Sequence, residues 1–263
     1  MDYEIFNEDC LEGMKALPDE SIDLTITSPP YDNQRMYDGF TSAFDFEPTA
    51  QELYRVTKQG GVVVWVVGDA SINNSETGTS FRQALYFKDI GFKLYDTMIY
   101  QKTGAPPMAG NRYYQEFEYM FVLSKGDPKT VNLLCDRKNN WAGRVIGGTR
   151  RRENGNLTRK KTCTVAEYGR RFNIWQYKPG FNGDRLRHEH PATFPDKLAE
   201  DHMKSWSNEG DTVLDPFAGS GTTGVACVNL NRNFIGYEIH PKYADLCHRR
   251  IDEAIAKREQ SLF

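Results

Sequence analysis

The sequence predicts an α/β fold: a mostly parallel sheet with helices on both faces, interrupted by a small basic insertion. Three observations carry that expectation. Short apolar runs rich in β-branched residues alternate with segments of helical spacing along the 263 residues, the pattern that builds parallel sheets. Residues 62–67, Val-Val-Val-Trp-Val-Val, have no polar face, as a strand buried on both sides requires. Charge is also segregated. Residues 125–188 hold 16 Lys and Arg against 5 acids, a net of +11 in a chain totalling −3, so the remainder carries −14.

The elements follow in order. Residues 3–6 form a short strand and 10–17 a short helix, closed by Pro18. Residues 23–28 make a buried strand that must stop at Pro29-Pro30, because proline has no N–H for the ladder. Leu53 and Val56 give 48–58 a helical spacing, ended by Gly60-Gly61 before the apolar strand 62–67. A helix over 81–90 stops at Gly91, and strands 93–101 and 117–125 flank the Gly/Pro-rich loop 103–112. Beyond the basic segment come helix 195–206, strand 212–215, helix 222–230, strand 234–238 and helix 241–257. No internal repeat is present.

Composition excludes several classes. The longest apolar run falls far short of the ~18 residues of a membrane span, and charges at the N-terminus leave no room for a signal peptide's apolar stretch. Cysteines 10, 135, 163, 227 and 247 show no metal-ligand spacing and are odd in number, so a reduced, cytoplasmic chain with neither structural metal nor disulfides is expected. Concentrated like charge over 64 residues self-repels unless a polyanion relieves it. The segment Arg150-Arg151-Arg152, Arg159-Lys160-Lys161 and Arg170-Arg171, interleaved with Gly, Asn, Thr and aromatic residues, is therefore expected to contact nucleic acid.

Two motifs sit at predicted strand ends, where ligands bind in parallel α/β sheets. In the first, Asp215-Pro-Phe-Ala-Gly-Ser-Gly-Thr-Thr-Gly224 joins a strand to a helix, and Glu238 ends the next strand. Glycines let a ligand approach the backbone, and a carboxylate accepts hydrogen bonds from ribose hydroxyls. Gly219, Gly221 and Gly224 match GxGxxG, which alone would also fit an NAD-dependent oxidoreductase or an ordinary tight turn. Against NAD, four residues from Asp215 to Ala218 precede the first glycine. Their carboxylate suits a cofactor with a cationic end better than a pyrophosphate. The second motif is Ser28-Pro29-Pro30-Tyr31. The carbonyls of Ser28 and Pro29 are expected to accept hydrogen bonds from an amine, and Tyr31 offers a ring for stacking.

Together these motifs resemble the amino-methylating DNA methyltransferases that use S-adenosylmethionine. Further pieces share the resemblance: Asn7-Glu-Asp9-Cys10-Leu11, Leu17-Pro-Asp-Glu-Ser-Ile-Asp-Leu-Thr25, His190-Pro-Ala-Thr-Phe-Pro195 and Phe234-Ile-Gly-Tyr-Glu238. The order, catalytic motif first and cofactor motif last, resembles the β class. The resemblance implies a Rossmann-like methyltransferase fold with a mostly parallel seven-stranded sheet. Residues 1–125 and 189–263 would form its catalytic domain, and 126–188 a target-recognition insertion. It implies S-adenosylmethionine as cofactor, held by Asp9, Thr193, Phe194, Asp215, Phe217, Gly219, Ser220, Gly221, Thr222 and Glu238. Catalysis would fall to Ser28, Pro29, Pro30 and Tyr31, acting on a flipped-out base. Double-stranded DNA is the implied partner, a cognate restriction endonuclease a further candidate, and the implied source is prokaryotic or phage, as monomer or homodimer.

Ser28 at the first motif position and Phe194 in the His-Pro segment both lean towards cytosine N4, with adenine N6 as the alternative. The family's RNA and protein-glutamine relatives usually carry Asn-Pro-Pro-Tyr. No Pro-Cys dipeptide occurs, which argues against carbon-5 cytosine methylation.

Overall fold

Apolar strands and amphipathic helices alternate from the N-terminus onward in the computed structural model, which describes residues 2–30, 44–104, 112–178 and 195–260. In chain order these are β1 (Tyr3–Phe6), α1 (Cys10–Ala16), β2 (Ile22–Thr27), α2 (Phe46–Val56), β3 (Thr57–Val67), a small hairpin of β4 (Ser71–Ile72) and β5 (Ser75–Glu76), α3 (Thr79–Asp89), β6 (Lys93–Lys102) and β7 (Phe117–Ser124). Then follow β8 (Arg137–Lys138), β9 (Val145–Arg151), β10 (Leu157–Thr164), β11 (Tyr168–Gly169), β12 (Ile174–Tyr177), α4 (Asp196–Trp206), β13 (Thr212–Asp215), α5 (Thr222–Leu230), β14 (Asn233–Tyr237) and α6 (Pro241–Gln260).

The main sheet runs β1-β14-β13-β2-β3-β7-β6-β12. β7 pairs antiparallel with both its neighbours, and the remaining pairs are parallel. Strand β3 explains why the sheet needs cover on both faces. Val63, Trp65 and Val67 pack with Met14 of α1, Leu53 of α2 and Phe87 of α3 in one core. The intervening Val62, Val64 and Val66 point the other way and are equally buried. On that second face His202 of α4 reaches Met120 of β7, Nε2 to Sδ at 3.2 Å, and α4, α5 and α6 pack side by side.

Among the described residues the sheet has eight strands, where the resemblance implies seven. The extra one, β12, lies inside the segment read as insertion and pairs parallel with β6, Ile174 opposite Ile99 and Tyr177 opposite Lys102. Only Trp175 of this edge strand is buried, and four residues are too few to show an alternation. The compact units are accordingly Met1–Asn132 with Asn173–Phe263, and Leu133–Phe172, a narrower second unit than the expected 126–188. Within the second unit β9 and β10 form an antiparallel ribbon, and β8 pairs with β11.

Among the described residues no helix is long and apolar enough to cross a membrane. The five cysteines are free, Cys10, Cys227 and Cys247 buried and the other two exposed.

Candidate active site

The parallel strands β1, β14, β13 and β2 are neighbours in the sheet, so the residues following each one collect along one edge. After β13 the chain turns through Gly219 (φ +52°) and Gly221 (φ +79°), left-handed conformations that glycine adopts without strain. The turn is stitched to β14. Ala218 N donates to Tyr237 O at 2.8 Å, and Gly219 N donates to Glu238 Oε2 at 2.9 Å. Glu238 Oε1 accepts from His240 N at 2.8 Å. Each carboxylate oxygen thus uses one lone pair on the backbone and keeps another for a ligand hydroxyl. Burial raises the Glu238 pKa, opposed by the His240 and Gly219 amides.

The end of β1 is tied to the same place. Asn7 Nδ2 donates to the carbonyls of Glu238 at 2.8 Å and Ile239 at 3.0 Å. Asp9, exposed, caps α1 by accepting from Leu11 N at 2.8 Å and Glu12 N at 3.4 Å through one oxygen. Ser28 is half-buried, Pro29 buried and Pro30 half-buried beyond the end of β2. Phe217 stands half-buried against Phe44 at 4.9 Å and Trp65 at 6.3 Å between ring centres.

Three expected cofactor contacts have other partners. Asp215, read as facing a cationic ligand, is 1% exposed. Its oxygens accept from Thr27 Oγ1 at 2.7 Å, Thr223 Oγ1 at 2.7 Å and Phe217 N at 3.1 Å. Burial pushes its pKa up to about 6 against the pull of those donors. Ser220 and Thr222 are also buried, and their hydroxyls accept from Arg250 of α6 at 3.1 and 3.4 Å. Arg250 is itself buried and pairs with Asp196 at 3.4 Å, so it braces the glycine turn from α6. Thr27, Thr223, Asn7 and Arg250 were not singled out from sequence. Asn7 and Thr223 stand inside the motifs given above without a role of their own, and Thr27 directly precedes Ser28. Tyr31, Thr193 and Phe194 lie outside the described residues.

On the second unit Arg150, Arg151, Arg152, Arg159, Lys161 and Arg170 are exposed. Register places Arg151 opposite Leu157, Arg150 opposite Thr158 and Arg159 opposite Thr149. Alternation therefore puts Arg151 and Arg159 on one face of the ribbon and Arg150 on the other. Arg171 differs: it is half-buried and its Nε pairs with Asp136 Oδ1 at 2.7 Å. The Lys160 side chain lies outside the described part. Among the described residues no group of His, Cys, Asp and Glu could hold a metal ion.

The family model of the DNA methylases, of the N6/N4 type, matches residues 22–249. The orphan methyltransferase M.BamHII of Bacillus amyloliquefaciens is 54% identical over 243 residues, covering 90% of this chain and 91% of its own. Among solved structures, the cytosine-N4-specific PvuII DNA methyltransferase superposes with a TM-score of 0.70 at 19% identity, over 98% of this chain and 92% of its own. A Thermus thermophilus protein described as a DNA modification methylase, in complex with S-adenosyl-L-methionine, gives 0.64 at 24% identity, over 97% and 96%. With a match across most of its length and a relative sharing more than half its residues, the chain belongs to the N6/N4 family of amino DNA methyltransferases.

Proposed function

We propose that this DNA methyltransferase transfers a methyl group from S-adenosylmethionine to N4 of cytosine at a specific site in duplex DNA. The observation that carries the reading is the juxtaposition of Ser28-Pro29-Pro30 with the glycine turn and Glu238 along one sheet edge. Ser28 at the first motif position supports cytosine, as does the fold likeness to a cytosine-N4-specific enzyme. S-adenosylmethionine is the cofactor. The donor set suits it: Glu238 retains lone pairs for ribose hydroxyls, Asp9 offers an exposed carboxylate for the adenine end, and Phe217 is only partly covered. When bound, it supplies a methyl group on a sulfonium.

The chain's own residues do the rest. An exocyclic amine is a weak nucleophile because its lone pair is delocalised into the ring. Carbonyl acceptors at Ser28 and Pro29 draw its hydrogens out of the ring plane and release that pair, while Tyr31 holds the flipped ring. The exposed cations Arg150–Arg152, Arg159, Lys161 and Arg170 hold the duplex. Arg171, already paired, contributes less.

One crossed experiment tests both halves. Glu238→Ala weakens S-adenosylmethionine binding by about 1–3 kcal/mol through lost charge-assisted hydrogen bonds and leaves DNA affinity in place. The triple change Arg150→Ala, Arg151→Ala, Arg152→Ala does the reverse. For every phosphate no longer neutralised, the slope of log affinity against log salt flattens by about 0.9. Unchanged cofactor affinity in the first variant removes Glu238 from the site, and an unchanged slope in the second means DNA is held elsewhere.

A further inference from the structure

Leu214 of β13 pairs with Thr25 of β2, and there the backbone ladder between the two strands ends. Two residues on, β13 meets Pro216, whose nitrogen has no hydrogen to donate. A side chain takes over from the ladder. Thr27, 0% exposed, donates its hydroxyl to Asp215 Oδ1 at 2.7 Å, and Phe217 N donates to the same oxygen at 3.1 Å. Thr223, from the first turn of α5, donates to Oδ2 at 2.7 Å and lies 3.3 Å from the carbonyl of Ile26. One sealed carboxylate thereby joins the strand carrying Ser28, the glycine turn and the helix behind it.

All three donors are neutral, so the site bears the cost of a buried charge without a cation at its oxygens. An asparagine would fill the same space at lower cost but would offer one acceptor oxygen instead of two charged ones. Hydrogen bonds to an ionised acceptor are about twice as strong as neutral ones. The expense is explicable if the link must be stiff.

We propose that Asp215 is a positioning residue which, through Thr27, fixes Ser28-Pro29-Pro30 in register with the glycine turn. The proposal rests on the methyltransferase reading and adds a mechanical element to it: the place of the methyl acceptor is set by the same carboxylate that shapes the donor site. A misplacement of about 1 Å at such a junction costs roughly 10²-fold in rate.

Titration gives a readout that a merely structural link would not move. Asp215 faces Cys10 of α1, Cys227 of α5, Cys247 of α6 and Glu238 after β14. Burial pushes all three thiols above their ordinary range, so they stay neutral while Asp215 titrates, and the Asp215 charge adds to the burial that raises the Glu238 pKa. Protonation of Asp215 near pH 6 removes an acceptor from the link. The fold does not suffer with it. Between about 6 and the ordinary 3.8, Asp215 is protonated when folded and ionised when unfolded, so stability from this group rises as pH falls. Loss of activity in that window is then not unfolding driven by this group, and a stability measurement at the same pH values accompanies the profile.

The test uses the full chain, tritiated S-adenosylmethionine and unmodified genomic DNA. Thr27→Val, which keeps the shape and removes the donor, should lower kcat by roughly 10²-fold with cofactor affinity unchanged. It should also move the acid limb of the pH profile to higher pH, because the Thr27 hydrogen bond holds the Asp215 pKa down. Thr27→Ser should restore kcat. Should the valine chain fail to fold, Asp215→Asn serves instead, with reduced kcat and an acid limb that no longer reports this group. Wild-type kcat and pH profile in Thr27→Val or Asp215→Asn overturns the proposal, and so does a loss of kcat and cofactor affinity in equal proportion. No incorporation by the unaltered chain would overturn the methyltransferase reading itself.

Discussion

Tyr31→Ala should reduce methyl transfer by roughly 10- to 10²-fold while leaving S-adenosylmethionine binding intact, since stacking on an aromatic side chain is worth about 1–3 kcal/mol per base. Strand β2 ends in the middle of the sheet, and Pro29 is buried directly beyond it. The two prolines remove backbone freedom ahead of Tyr31, so whatever ring follows them is delivered with little entropy cost. A base taken out of the duplex has lost its neighbours on both faces, and a protein ring is the natural replacement. Tyr31→Phe keeps the ring and should keep most of the rate. Single-turnover incorporation beside calorimetric titration with cofactor separates rate from binding. Wild-type turnover in Tyr31→Ala would show that the ring does not hold the base.

The second large effect is on the cofactor turn. Gly221 sits at φ +79° as the N-cap of α5, and a Cβ there would lie 2.6 Å from Cys247 Sγ and 3.1 Å from Cys247 Cα. The sulfur could rotate away, but the backbone of α6 cannot. Left-handed backbone costs a residue with a side chain about 1–2 kcal/mol, and forcing atoms into a filled site about 1–3 more. Gly221→Ala should therefore lose about 2–5 kcal/mol out of a typical total of about 5–15. Cofactor affinity should fall as well, because the turn must shift. Gly148→Ala is the control, since nothing lies within 4 Å of a Cβ there. Chemical denaturation of both variants and of Gly221→Ala with Cys247→Ala measures these losses. The double variant should recover only the part due to the sulfur. Equal stability of Gly221→Ala and the unaltered chain would contradict the geometry.

Punctuation made much of this fold legible. Strand 212–215 and helix 222–230 fall where β13 and α5 fall, because Pro216 and the glycines leave no choice of where the strand stops and the helix starts. The run 62–67 shows as buried because it is apolar at every position. The ribbon β9–β10 escaped notice for the converse reason. Every residue of β9 is exposed, so no alternation of hydrophobicity marks it. Its sequence instead announces charge, and that charge was readable.

At the site, residue types were readable and their partners were not. Glu238 follows β14 directly, beside the glycine turn as its spacing implies, yet nothing local shows that it also holds Gly219 N and His240 N. A carboxylate in a strand–glycine–helix motif reads as ligand-facing. Only the fold shows Asp215 closed over by Thr27, 188 positions away in sequence. Arg250 likewise resembles any helix arginine until Ser220 and Asp196 are brought against it.

Everything proposed for the site comes down to methylation of an exocyclic amine in DNA, with cytosine N4 as that amine. Mass spectrometry of nucleosides from a host without DNA methylation of its own, expressing the chain, decides the matter. N4-methylcytosine should appear, and its level should fall sharply when Tyr31 is replaced by alanine. N6-methyladenine in its place would contradict the assignment to cytosine, and unmodified DNA would contradict the proposed activity altogether.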